Sequence, residues 1–181
     1  MRRDGLIKTD TEDDGLGGAN ILGLRGVPFK DRNAEICLAA VKKNGYDIQW
    51  VPLRILTRRM CLAAVEQDGS TLRHIPEEHR TPQICLTAVT QDAICFCWVP
   101  DGYKLPDLNL IAVQQYGWAL SQVPLKLQTY ELCLVAVQQD GALFMVPDEH
   151  KTPEMCWAAI KQNDKASQWS PYSILELLSL I

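Results

Sequence analysis

T-Y-E-L-C-L-V-A-V-Q-Q-D-G-A-L-F-M-V-P-D-E-H-K, residues 129–151, is one copy of a pattern that fills most of this chain. Thr129 opens it with a hydroxyl that can accept an orphan backbone N–H, so it reads as a helix N-cap. In two other copies a proline follows the threonine, at Thr81-Pro82 and Thr152-Pro153. Proline is well placed there, because the missing N–H has no partner in the first turn. Glu131 and Glu154 complement the positive end of the helix dipole, and the alanine- and leucine-rich middle has high helix propensity. Gly141 is expected to stop the helix in the left-handed C-cap conformation, as are Gly45, Gly69 and Gly117 in their copies. A short second segment follows, then Val146-Pro147. Proline cannot continue a helix from within and pushes the residue before it towards extended geometry. One copy therefore reads as a first helix of about 11 residues, a second of about 6 and a proline-marked turn. The first helix is apolar nearly all round, which predicts that it is sandwiched between neighbouring copies.

The copies are counted by their prolines. Pro28, Pro52, Pro76, Pro100, Pro124, Pro147 and Pro171 stand 24 residues apart, except for the 23 between Pro124 and Pro147. Cys37, Cys61, Cys85, Asn109, Cys133 and Cys156 run in phase with them. Two ladders with one period mark an internal repeat. The expected fold is all-α: a short α-solenoid of about six 24-residue helix-turn-helix repeats with a C-terminal capping helix. Its units are 33–56, 57–80, 81–104, 105–128, 129–151 and 152–171, preceded by a half unit at 21–32. A leucine-rich repeat also spans this period, but it needs leucines alternating along a strand; the matching run here, C-L-A-A-V, is alanine-rich. Residues 1–20 are polar and glycine-rich and read as a disordered tail. Residues 172–181 read as the cap, with Ile174, Leu177, Leu178 and Ile181 on one face that either closes the stack or pairs two copies of the chain.

Composition sets broad limits. The chain has 181 residues, a net charge of -4, 47% apolar and 22% charged residues, values ordinary for a soluble globular protein. No stretch approaches a membrane-spanning length, and the start M-R-R-D-G-L-I-K-T-D lacks the apolar core of a cleavable leader. Residues 21–80 carry 10 basic and 7 acidic side chains, and residues 81–181 carry 5 basic and 10 acidic. This acidity argues against generic nucleic-acid binding. Five of the seven cysteines share one repeat position within apolar runs, where a free thiol behaves as a small buried hydrophobe. Equivalent positions in stacked helices lie roughly 8–10 Å apart, too far for a disulfide. Reduced thiols suit a cytoplasmic location; delivery into a host cell would leave no mark in this sequence.

The strings T-P-E-M-C-W-A-A-I-K-Q-N, T-P-Q-I-C-L-T-A-V-T-Q-D and E-L-C-L-V-A-V-Q-Q-D-G-A-L, each followed by V-P or a close variant, resemble the bacterial repeat family catalogued as domain of unknown function 4116. The likeness covers about residues 21–171. It implies a bacterial protein built from small helical repeats, a kind often found in pathogen or mobile-element proteins, and it brings no catalytic residues. Asn109 departs from the cysteine position and Ala93 from the glycine position, which predicts local irregularity in the third and fourth units.

Several rows of residues could carry function. Gln67, Gln91, Gln115, Gln139 and Gln162, with Lys43 in the first unit, are expected to bond backbone groups between units. Two places before each proline stand Trp50, His74, Trp98, Gln122, Met145 and Trp169, which either fill the gap between layers or form a binding stripe. Lys42, Lys43, Arg54, Arg58 and Arg59 cluster in the first two units, and Asp148, Glu149, Glu154 and Asp164 oppose them in the last. Cys95 and Cys97 have no second pair at zinc-site spacing, and His79 and His150 recur at one turn position. The leading expectation is a non-enzymatic protein-protein interaction module, an effector, immunity protein or inhibitor, that binds its partner through Arg54, Arg58, Arg59, Arg73, Trp50 and Trp98 and uses no catalytic residue, metal or cofactor. The alternatives are a helical repeat that binds nucleic acid through its basic front, and an enzyme with an unfamiliar site that would gather His74 and Cys95.

Overall fold

The computed structural model describes residues 23–179. The tail at 1–20 and Ile181 lie outside them. Every regular element among the described residues is helical, and none is a strand. The α-helices are α1 (Ala34–Lys43), α2 (Arg58–Gln67), α3 (Pro82–Gln91), α4 (Pro106–Gln115), α5 (Tyr130–Asp140), α6 (Pro153–Gln162) and α7 (Ile174–Leu178). Six-residue 3₁₀ helices follow five of them: Gly45–Trp50, Gly69–His74, Ala93–Trp98, Gly117–Gln122 and Asp164–Trp169. After α5 the corresponding segment is only Leu143–Met145, in the unit whose proline comes one residue early.

The helix starts follow the expected chemistry. Thr57, Thr81, Thr129 and Thr152 accept the N–H of Met60, Ile84, Leu132 and Met155. Asn33 does the same for Glu35 and Ile36 of α1. In α4 an exposed Leu105 holds the cap position and offers no side-chain acceptor. The second segments are 3₁₀ rather than α. Each is held between the cap that ends the preceding α-helix and a proline that cannot extend it, which leaves room for few i→i+4 bonds. The residue before each proline must also be extended, as Val51 is at ψ 125. Short i→i+3 turns fit between those limits. Their first N–H groups are taken by Asn44, Asp68, Asp92 and Asn163, which end one helix and cap the next.

The helix stops are not what the sequence predicts. Among the described residues only Gly23 and Gly141 have positive φ, so Gly45, Gly69 and Gly117 are not left-handed C-caps. Their role is close approach. A Cβ on Gly45 would stand 2.6 Å from the carbonyl oxygen of Ala64, one on Gly69 2.6 Å from that of Ala88, and one on Gly117 2.7 Å from that of Ala136. Each glycine thus seats its 3₁₀ helix on the α-helix of the following unit. Ala93 stands where the series omits its glycine, and α3 and α4 pack less closely there than the other neighbours among α1 to α6. Asn109 of α4 is fully buried and donates from Nδ2 to the Lys104 carbonyl at 3.2 Å.

Successive α-helices contact one another, successive six-residue 3₁₀ helices do likewise, and the core fills the space between the two rows. The α-helices are buried on one side only. In α1, Cys37, Ala40 and Val41 are covered while Glu35, Lys42 and Lys43 face solvent, so the expectation of a helix sandwiched all round is corrected to a two-layer packing. In α7 only Leu177 is buried, and Ile174, Leu175 and Leu178 remain exposed. Asp47, itself buried, accepts the Leu24 N–H at 2.8 Å and ties the leading half unit to the first full one.

Two outcomes follow from this packing. Gly69→Ala should cost about 1–3 kcal/mol through overpacking against a backbone carbonyl that cannot swing away. Gly102→Ala, with nothing within 4 Å of the added Cβ, should stay within about 0.5 kcal/mol of the parent. Urea unfolding followed by circular dichroism measures both. The ladder cysteines give the second outcome. Cys37, Cys61, Cys85, Cys133 and Cys156 are fully buried and Cys97 is exposed. Burial pushes the Cys61, Cys85 and Cys133 thiols up to about 11 from an ordinary value of 9.0. The neutral thiol is favoured in the folded state, so these groups support the fold fully below pH 9 and lose that support as the pH rises through about 11. Urea midpoints should therefore fall across that window. At pH 8, iodoacetamide should label Cys97 well ahead of the ladder cysteines.

Candidate functional site

The row of six-residue 3₁₀ helices carries Trp50, Trp118 and Trp169, three of the exposed aromatic side chains. The short pitch and the fixed glycine contact bring side chains from adjacent units into register. At the front, Tyr46 bonds through its hydroxyl to Ser70 Oγ and meets His74 edge-on, with ring centroids 5.9 Å apart. At the rear, Trp118 meets Phe144 edge-on at 5.0 Å, and Phe144 meets Trp169 at 5.0 Å. These three rings are 47%, 39% and 38% exposed, a continuous aromatic row over three units. Between the third and fourth 3₁₀ helices lies a cleft of about 240 Å³, lined by Ile94, Cys97, Tyr116 and Trp118 among others. It opens where Ala93 loosens the packing.

The row two places before the prolines divides. Trp50 and Trp169 are partly exposed, while Trp98 and Met145 pack against the core. The six residues expected to meet a partner are not gathered into one site. Arg54 lies over the Phe29 ring at 5.7 Å, on the proline-turn edge. Arg58, at the start of α2, donates to Gln83 Oε1 at 2.6 Å, and Arg59 beside it is exposed. Arg73 lies over Tyr46 at 5.7 Å and donates to His74 Nε2 at 2.9 Å. Trp50 has the Arg25 guanidinium 5.8 Å from its ring. Arg73 and Trp50 belong to the 3₁₀ layer with the aromatic rows. Arg58 and Arg59 start an α-helix in the other layer.

Two of the ladder glutamines, Gln91 and Gln115, bond between units. Gln91 accepts the Gly69 N–H at 2.9 Å and donates to the Glu66 carbonyl at 3.1 Å, and Gln115 donates to the carbonyls of Val89 and Thr90. Of the acidic set, Asp148 is paired with Lys151 at 2.7 Å. His150 Nε2 stands 2.8 Å from the Gln128 carbonyl. Cys95 is fully buried, and burial first, then the nearby Asp92 carboxylate, pushes its thiol up to about 12. That environment disfavours a thiolate. Burial, and then the neighbouring Arg73 charge, lower the His74 pKa. Among the described residues no cluster of His, Cys, Asp and Glu has the arrangement of a metal site, and no helix is long and apolar enough to cross a membrane.

One ladder escapes the sequence reading. Arg80 donates from Nε to the Ile75 carbonyl at 2.8 Å and from Nη1 to the Trp98 carbonyl at 2.7 Å. Arg32 repeats this with Val27 at 2.9 Å and Trp50 at 2.7 Å. Each guanidinium staples a proline turn to the end of the next 3₁₀ helix, so it holds Trp50 and Trp98 by their backbone. Lys104, Gln128 and Lys151 occupy the same place; Gln128 donates to the Leu120 and Val123 carbonyls, and the lysines pair with Asp101 and Asp148. The signal was present: all of them stand four residues after a proline.

Residues 57–104 match the family described as domain of unknown function (DUF4116). That stretch begins at Thr57, the cap of α2, and ends at Lys104, so it holds two sequence units without a remainder. Arg58, Arg59, Arg73, Arg80 and Trp98 all lie within it. No curated protein and no solved structure matches the chain.

Arg80→Met should cost about 1–3 kcal/mol, because it leaves two carbonyls without their charged donor. Thermal unfolding measures the loss. Faster amide exchange in 93–99 should accompany it.

Proposed function

We propose that this chain is a short α-solenoid that acts as a protein-interaction module, and that its partner docks on the 3₁₀ layer. The observation that carries this reading is the row Trp118, Phe144 and Trp169, three large rings left open to solvent in mutual contact. Aromatic side chains supply most of the energy at interface centres, and they lose little conformational freedom when bound. Stacked units build an extended face of this kind, each unit adding one strip. Three supports favour the solenoid: the element order recurs with the sequence period, neighbours contact neighbours, and the family match spans two units. The α layer is a poorer candidate face, since its exposed positions are mostly polar or charged, such as Glu35, Lys42, Glu66 and Gln114.

The role proposed is that of a bacterial effector adaptor, immunity protein or inhibitor, which the resemblance to a family of unknown function leaves open. A photo-crosslinking residue at Ser121, exposed and next to Gln122 on the 3₁₀ layer, should give one discrete protein adduct in a lysate of the source cell or its host. The same residue at Gln114 of α4 should give none. Equal adducts from both positions, or none from Ser121, would remove the assignment of the face.

A further inference from the structure

The front and rear of the aromatic surface differ in one respect. At the front, the exposed Trp50 and Phe29 and the half-buried Tyr46 have arginines of the same chain over them: Arg25 over Trp50 at 5.8 Å, Arg73 over Tyr46 at 5.7 Å, and Arg54 and Arg32 by Phe29, each at 5.7 Å. The rear has no such partner. Every arginine of the sequence lies at or before Arg80. Among the described residues no cation stands over Trp118, Phe144 or Trp169. Three of the five rear lysines are engaged elsewhere: Lys104 with Asp101, Lys151 with Asp148 and Lys161 over Trp157.

The comparison holds position by position. Tyr46 stands six residues before Pro52, and Trp118 six before Pro124. Arg73 stands three before Pro76, and Phe144 three before Pro147. Phe144 therefore touches Trp118 from the place where Arg73 touches Tyr46. The same geometry that receives a guanidinium at the front presents an aromatic trough at the rear. The rear is also the acidic end of the chain. Asp140 lies beside Gly117, the residue before Trp118, where an added Cβ would meet its Oδ2 at 2.7 Å. Asp92 caps the helix that carries Ile94, and Asp164 begins the helix that ends at Trp169. Residues 81–181 carry 10 acidic side chains against 5 basic.

Aromatic faces flanked by carboxylates favour guanidinium over other groups: the ring quadrupole and the planar cation attract, and the carboxylate adds charge. We infer that the rear row Trp118, Phe144 and Trp169 is a docking site for an arginine-rich segment of a partner protein, whose guanidinium groups lie against the solvent-facing surfaces of rings that, unlike those at the front, have no cation of their own. This rests on the interaction reading above and gives its partner a chemistry.

The probe is a fluorescein-labelled dodecapeptide of alternating arginine and glycine, followed by anisotropy with the full chain, beside a lysine and a glutamate version. The arginine peptide should bind, more tightly than the lysine one and less tightly as salt rises, and the glutamate peptide should not bind. Phe144→Arg supplies the cation in cis and should weaken the arginine peptide about tenfold or more with the helical spectrum intact, as should Trp118→Ala. Gln114→Ala, exposed on the α layer, should leave binding unchanged. Absent binding at low salt, equal affinity in Phe144→Arg, or loss in Gln114→Ala each overturns the inference. A Ser121 adduct that forms undiminished in excess arginine peptide also overturns it, while leaving the interaction face itself standing.

Discussion

A glycine lying within van der Waals contact of a carbonyl sets the spacing of this molecule. Gly45, Gly69 and Gly117 each face an alanine carbonyl of the next unit at a distance no Cβ could occupy. The contact brings the 3₁₀ row against the α row, so the alanines at those positions, Ala64, Ala88 and Ala136, are fully covered. Small residues on both sides let backbone meet backbone, and the buried thiols and valines then fill what remains. The ladder cysteines are inert for the same reason. The close packing that buries them raises their pKa values well above the ordinary thiol range and leaves no thiolate to react. Spacing therefore comes before chemistry here: the aromatic rows can stand in register only because each unit approaches its neighbour in the same way.

Much of this was legible in the sequence, and for a local reason. Threonine caps and valine-proline stops act within a few residues, so the boundaries of α2, α3, α5 and α6 follow from short strings. Two of the five ladder glutamines were legible too: Gln91 and Gln115 reach equivalent carbonyls, of Glu66 and Thr90, in the preceding unit. The glycines mark the right places but for another cause. A sequence shows that a side chain is missing; it does not show whether φ or a distant carbonyl requires its absence. The arginine staples were hidden by chemistry, since arginine, leucine, lysine and glutamine share one position and no residue type recurs often enough to stand out. Arg58, Arg59 and Arg73, close in sequence, read as parts of one partner-facing set. The unit is two layers thick, and residues fifteen apart fall on different layers.

The irregular places are the informative ones. Ala93 breaks the glycine series, and the contact between α3 and α4 thins where a cleft lined by Cys97, Tyr116 and Trp118 opens. The proline ladder loses one residue between Pro124 and Pro147, and the segment after α5 shrinks to Leu143–Met145. That shortened segment carries Phe144, the ring that joins Trp118 to Trp169. A perfect repeat would give every unit the same surface. Here two departures from the period, Ala93 and the shortened segment after α5, fall next to exposed aromatic side chains.

Charge then separates the two ends of one face. In the front units the chain neutralises its own aromatic and backbone acceptors: Arg25 and Arg73 cover rings, and Arg32 and Arg80 hold carbonyls. Behind Arg80 the staples become lysine or glutamine. Lysine is a point charge that pairs with the carboxylate three residues earlier, as in Lys104–Asp101 and Lys151–Asp148. It lacks the planar fork that bridges two carbonyls or lies flat on a ring. Losing arginine from the rear therefore does two things at once. It weakens the staples, and it leaves Trp118, Phe144 and Trp169 without a cation of their own. A ring face that could bind a cation and has none in the chain is a stronger attractor for an external one than a face already occupied, because nothing must be displaced first. The rear of the 3₁₀ layer is thus the part of the surface where binding releases the least existing structure.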